Sequence, residues 1–133
     1  MNESPQQIVE AFVRAINRRD VDALCALMTA EHRFIDALEN VVEGREKMRA
    51  AWKAYFSMVP DYEIVIEETH GDGFVVVMLG EARGTYAPAG KLAAENRWKT
   101  PAAFRARVEA GKVAEWRAYA DNEPIRQCMA RAK

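Results

Sequence analysis

Phe104-Arg-Ala-Arg-Val-Glu-Ala-Gly111-Lys-Val-Ala-Glu-Trp116-Arg-Ala-Tyr119-Ala-Asp121 reads as two alternating strands joined at a glycine, ending in an aromatic and acidic edge. The first strand extends back to Trp98, and Pro101 inside it is expected at an edge or bulge because it cannot donate to a ladder. Upstream, Phe74 to Tyr86 opens with an apolar run suited to a central strand, and Tyr62 to Thr69 alternates. Gly71-Asp-Gly73 and Pro88-Ala-Gly90 mark turns, while Lys91 to Arg97 shows no clear pattern.

The first half is helical. Ser4-Pro5 is an N-cap followed by proline at the first helical position, and Ile8, Val9, Phe12, Val13 and Ile16 form one apolar stripe ending near Asn17. Asp20 can cap a second, short helix carrying Val21, Leu24, Cys25, Leu27 and Met28. Glu31 to Asp36 breaks the helical period, so a short strand is expected with His32, Phe34 and Asp36 on one face. After Gly44 a third helix runs from about Arg45 to Ser57, with Met48, Ala51, Trp52, Tyr55 and Phe56 on its apolar side, and Pro60-Asp61 ends it. Beyond Asn122-Glu-Pro124 a short frayed helix holding Ile125 and Cys128 is expected. Helices first and antiparallel strands afterwards give one α+β domain over residues 1–133, with a pocket between helices and sheet.

Composition narrows the function. The 133 residues carry a formal net charge of -1 with charges interspersed, so no nucleic-acid footprint is expected. No apolar run approaches the ~18 residues of a membrane span, and the opening lacks a signal-peptide order, so a cytoplasmic protein is expected. Cys25 and Cys128 are read as reduced core thiols. There is no phosphate-cradling glycine loop, no metal-ligand spacing and no nucleophile-histidine set, so the expectation is no metal and no cofactor.

Several strings together resemble the nuclear-transport-factor-2-like superfamily, which includes ketosteroid isomerases, limonene epoxide hydrolases and SnoaL-like polyketide cyclases. They are Ala15-Ile-Asn17, Asp20-Val-Asp22-Ala-Leu24, Ala26-Leu-Met28, Phe34-Ile-Asp36, Gly44, Pro60-Asp-Tyr62, Gly71-Asp-Gly73, Gly84-Thr85, Gly111-Lys-Val and Glu115-Trp-Arg-Ala-Tyr-Ala-Asp121. The resemblance covers nearly the whole chain. It implies a cone-shaped domain, three N-terminal helices packed on a highly curved, mainly antiparallel sheet that encloses a pocket. It also implies a homodimer through the sheet's outer face and a cavity faced by Trp52 and Trp116.

Two reactions of the superfamily lack their residues. The ketosteroid isomerase mechanism uses an aspartate base with an oxyanion hole of tyrosine and protonated aspartic acid, two carboxyl groups tuned to opposite roles by their surroundings. The base position falls here on Asp36, the tyrosine on Phe12 and the neutral acid on about Ala103. Loss of one such donor commonly costs ~10²- to 10³-fold in rate. In the limonene epoxide hydrolase string Trp-Arg-Asp-Tyr, the aspartate is replaced by Ala118, and a paired arginine and aspartate correspond to Arg83 and Thr85. The SnoaL-like branch remains, with its catalytic aspartate assignable to Asp36 or Asp121.

Asp36 at a pocket mouth is the candidate base, and His32 on its face the candidate proton helper. Phe12, Phe34, Trp52, Tyr55, Phe56, Trp98, Arg105, Trp116 and Asp121 are candidates for holding a small hydrophobic carbonyl, polyketide-like or steroid-like ligand. Arg83 and Arg105 fit cross-strand ion pairs equally well, and Asp121 fits a cap before Pro124. Two functions follow: cofactor-free acid-base catalysis of isomerase or cyclase type, or a non-catalytic dimeric module that binds a ligand or a protein.

Overall fold

Ser4 starts helix α1 (Pro5–Asn17) with a reciprocal capping box: its side chain accepts from the Gln7 N–H, and the Gln7 side chain accepts from the Ser4 N–H. The computed structural model describes residues 3–131; residues 1, 2, 132 and 133 of the expected domain lie outside the described residues. Ile8, Val9, Phe12, Val13 and Ile16 are buried as the stripe predicts. Asp20 caps α2 (Val21–Ala26) through Ala23 N–H. The second helix is shorter than its apolar residues suggest, because Met28 already belongs to β1 (Met28–Ile35). A tight loop then returns into a three-residue strand, β2 (Val41–Glu43), which the sequence does not announce. Gly44, at φ +109°, opens α3 (Arg45–Met58) from a conformation that disfavours any residue with a Cβ.

Four long strands complete the chain: β3 (Glu63–Asp72), β4 (Val75–Thr85), β5 (Arg97–Glu109) and β6 (Lys112–Ala120), followed by α4 (Glu123–Arg131). The six strands form one sheet in the order β2-β1-β6-β5-β4-β3, antiparallel except where β1 runs parallel to β6. The quoted hairpin is β5 and β6, turned by Ala110 and Gly111, both at positive φ (50° and 77°) between the paired Glu109 and Lys112. Positive φ at both central residues matches the right-handed twist of the flanking strands. Register shifts interrupt β3 on β4, β1 on β6 and β5 on β6, and such bulges bend a sheet. At the first of them Gly80 lies so close to β3 that a Cβ would stand 1.9 Å from the Val65 carbonyl oxygen.

Pro101 sits opposite Glu81 of β4, one residue beyond Ala102, where pairing of β5 to β6 ends. The missing N–H is tolerated where one neighbouring ladder has stopped. Along β5 burial alternates: Trp98, Thr100, Ala102, Phe104, Ala106 and Val108 face the helices, and Lys99, Ala103, Arg105 and Arg107 face away. Ala103 is thus on the outer face; its inward neighbours, Ala102 and Phe104, supply no acidic donor either. On the helix side, Trp116 stacks on Phe104 (5.0 Å, 14°) and meets Phe12 of α1 at 5.0 Å, which fastens the first helix to the sheet's centre. Such aromatic pairs add ~0.5–1.5 kcal/mol beyond area burial.

At the open edge, the Asn17 side chain pairs with Ile64 as a strand would, accepting from its N–H at 2.8 Å and donating to its carbonyl at 2.9 Å. Arg19 donates to the next carbonyl outward, that of Tyr62, at 2.9 Å. Cys25 and Cys128 are free and buried. No helix of the described residues is long and apolar enough to cross a membrane.

Candidate functional site

The curved sheet and the helices α3 and α4 enclose a cavity of about 450 Å³ with a mostly apolar wall. Five of the expected ligand-binding residues line it: Phe34 from β1, Trp52 and Tyr55 from α3, Trp98 from β5 and Trp116 from β6. Trp52 and Tyr55 are three apart on one helix face, and Trp98 and Trp116 share the inward parity of their strands, so periodicity alone places these four. Ala118 lines the wall as well, presenting a methyl group where the epoxide hydrolase string has its carboxylate.

Asp36 is at this wall, directly after β1, and is the single acidic group among the described lining residues. Its carboxylate also builds the loop between β1 and β2. Oδ1 accepts from the N–H groups of Leu38 (2.8 Å) and Asn40 (2.9 Å), and Oδ2 accepts from Asn40 Nδ2 (3.0 Å). Two donors on one oxygen and one on the other leave Oδ2 as the freer acceptor.

His32 is not beside it. The strand parity is as expected, but the imidazole lies fully buried behind the cavity, 5.9 Å from the Phe12 ring, and does not line the wall. Its Nδ1 is 2.7 Å from the Val113 carbonyl, which can only accept, so Nδ1 carries the proton and Nε2 is left bare with no partner. Burial holds the imidazole below its usual pKa, against the weaker opposing effects of the Val113 carbonyl and Glu115. A neutral, enclosed ring with no path to Asp36 does not serve it as a proton helper.

Four further candidates also lie off the wall. Phe12 and Phe56 stand one layer back, against Trp116 and Trp52 at 5.0 and 5.2 Å. Arg105 points to the outer face, where it pairs with the buried Glu115 at 3.0 Å; Arg33 approaches the same carboxylate at 3.6 Å. Asp121 accepts from the Glu123 N–H at 2.9 Å, a cap for α4 before Pro124. Arg83 is likewise outward, bound to Glu63 of the neighbouring strand.

The sequence reading misses the polar members of the wall: Tyr62, Thr100, Asn122 and Arg126. Thr100 is available from its parity with Trp98 and Phe104. Tyr62 is hidden by Pro60-Asp61, whose composition signals only a turn. It stands at the centre of an aromatic cluster, 5.0 Å from Tyr55, 6.2 Å from Trp98 and 6.5 Å from Trp52. Burial pushes both tyrosine phenols well above their usual pKa, so both remain protonated donors. Neither hydroxyl has a hydrogen-bond partner among the described residues, and the indole N–H groups of Trp52 and Trp98 are buried without one. The two phenols, both on the wall, fit a ligand that brings an acceptor, whereas the indole N–H groups are closed off from the cavity. No His, Cys, Asp and Glu cluster that could hold a metal occurs among the described residues.

An α+β cone with a cavity between curved sheet and helices is the nuclear-transport-factor-2-like fold. Solved structures agree: a protein assigned as a SnoaL-like polyketide cyclase from Shewanella denitrificans OS-217 superposes with a TM-score of 0.81 at 16% identity, covering 96% of this chain and 97% of that one. A nuclear-transport-factor-2-like protein from Burkholderia thailandensis E264 gives 0.79 at 22%, covering 96% and 98%. Another protein assigned as a SnoaL-like polyketide cyclase, from Jannaschia sp. CCS1, gives 0.77 at 23%, covering 98% and 97%. Residues 9–116 match the SnoaL-like domain, and the chain belongs to that family. No curated protein matches it.

Proposed function

We propose that this protein holds a small hydrophobic carbonyl compound in the cavity and moves a proton beside its carbonyl without a cofactor. The unanswered donors of Tyr55 and Tyr62, set close together on an otherwise apolar wall, carry this reading. They occupy positions unlike the two oxyanion donors that are absent at Phe12 and Ala103. Asp36 is the base: Oδ2 takes the proton from the carbon next to the carbonyl, and the electron pair moves to the carbonyl oxygen, where the phenols donate to it. The same proton returned to another carbon gives isomerisation; attack of the enolate carbon on a second carbonyl gives ring closure.

The three hydrogen bonds that tie Asp36 into its turn favour a second reading, a binding module with no chemistry. Solvent-deuterium uptake by aryl ketones, followed by NMR beside tryptophan-fluorescence binding, separates the two. Exchange lost in Asp36→Asn with binding kept supports the base; equal exchange in both proteins leaves only the binding module. Absence of binding by every apolar carbonyl compound tried removes both. A second copy on the sheet's outer face completes the proposal, since half-buried Val77, Leu79 and Ala103 there are flanked by Arg105 and Glu115, charges that a two-fold axis can match. Sedimentation as a monomer at micromolar concentration would remove it.

A further inference from the structure

We propose that Thr100 is a specificity-determining residue of the cavity, and that the ligand carries a second oxygen function, a hydroxyl or a carbonyl, near the carbonyl that meets the phenols. The proposal rests on the cavity being the binding site, as argued above.

β5 sends Trp98, Thr100, Ala102, Phe104, Ala106 and Val108 inward, and Thr100 carries the hydroxyl of that row. Valine has nearly the same shape and a similar preference for a strand, so strand formation does not ask for the hydroxyl. Burying one without a good partner costs free energy. Thr100 is 4% exposed and lines the cavity. Its Oγ1 makes a single hydrogen bond among the described residues, donating to the carbonyl of the adjacent Pro101 at 3.4 Å. Hydroxyl donors ordinarily stand ~2.7–2.8 Å from their acceptors, so this bond is weak, and the two lone pairs of Oγ1 receive nothing. A poorly satisfied polar group that breaks an apolar row where the row faces a cavity points to a contact made by the ligand.

Sheet register brings this hydroxyl to the phenols. Across β4, Thr100 stands opposite Ala82 and Trp98 opposite Gly84. Gly84 in turn packs against the start of β3, where a Cβ on it would lie 3.4 Å from Tyr62 Cα. The Tyr62 ring is 6.2 Å from that of Trp98 and 5.0 Å from that of Tyr55. Tyr62 and Thr100 therefore flank a strip of β4 that carries only a hydrogen atom and a methyl group, and β4 raises no bulky side chain between them. The phenols, as donors, take the first oxygen. Thr100, which can both donate and accept, is left for the second. A ligand with one ketone and no other oxygen leaves it unanswered.

The probes are 3-hydroxy-1-(2-naphthyl)butan-1-one and 3-methyl-1-(2-naphthyl)butan-1-one, which differ by a hydroxyl in place of a methyl group. Each is titrated by calorimetry against the wild type, Thr100→Val and Thr100→Ser. The wild type is expected to bind the hydroxy ketone at least as tightly as its methyl twin, although water holds the hydroxy ketone better. In Thr100→Val the hydroxy ketone should weaken about 10-fold, the scale of a buried hydroxyl left unpaired, while the methyl ketone keeps its affinity and so reports a folded cavity. Thr100→Ser, which restores the hydroxyl, should keep the wild-type ratio. A ratio unchanged in Thr100→Val, a loss in Thr100→Ser as large as in Thr100→Val, or rejection of the hydroxy ketone by a wild type that binds the methyl ketone overturns the assignment of Thr100 and leaves the cavity reading standing. Binding of neither probe overturns both.

Discussion

Acidification tests the internal chemistry of the fold through His32. The ring is neutral, with Nδ1–H committed to Val113 and Nε2 facing no donor or acceptor. Protonation would place a second N–H, and a charge, where neither water nor protein can receive it. Its folded-state pKa is therefore depressed below the ~6.5 of an unfolded histidine. Above ~6.5 neither state binds the proton and nothing is lost. As pH falls through ~6.5 the unfolded chain takes up a proton that the native protein refuses, so stability declines towards the folded-state pKa. One proton gives a limiting slope of about 1.4 kcal/mol per pH unit in that window.

Urea unfolding of the wild type and His32→Leu, from about pH 8 to about pH 5, isolates this from the titration of surface carboxylates common to both. His32→Leu removes the buried hydrogen bond to the Val113 carbonyl and should be less stable near neutrality by ~0.5–1.5 kcal/mol. The gap should close as the medium turns acid. Parallel curves across the range would refute the buried neutral ring.

Two further substitutions probe the frame around the cavity. Gly80→Ala forces a Cβ into the Val65 carbonyl and should cost ~1–3 kcal/mol or more, read as a lower urea midpoint; an unchanged midpoint would mean that the β3 bulge yields freely. Asn17→Ala strips both partners from the buried Ile64 backbone and should cost ~2 kcal/mol, with faster amide exchange at Ile64 than elsewhere in β3.

Periodicity makes most of the frame readable. Every inward residue of β5 follows from the alternation of Trp98, Thr100, Phe104 and Val108, and α1 follows from its stripe. Short elements fail for lack of period: three residues of β2 cannot show alternation, and Leu27-Met28 continue an apolar helix pattern although the chain has already turned into β1. The site divides differently. Parity tells which face a residue takes but not how deep along the cone it lies, so His32 and Phe34 share a face while only Phe34 meets the cavity. Polar rim residues such as Arg126 come from the docking of α4, a tertiary event with no local signature. Asp36 shows both limits, because Asn40 at the right spacing announces the turn while the cavity behind it does not announce itself.

Asn17 and Arg19 bear on how this protein behaves in a crowd. β3 forms one border of the sheet, and bare strand borders recruit other chains. Here a side-chain amide and a guanidinium already hold the backbone groups at Ile64 and Tyr62 that a visiting strand would need, and β3 adds Glu67 and Glu68 further along. The opposite border is only three residues long. With these groups taken at one border and so short a strand at the other, the native sheet offers a visiting strand few free backbone partners, and the end of α1 that carries Asn17 acts as a guard of the β3 border as well as a part of the core.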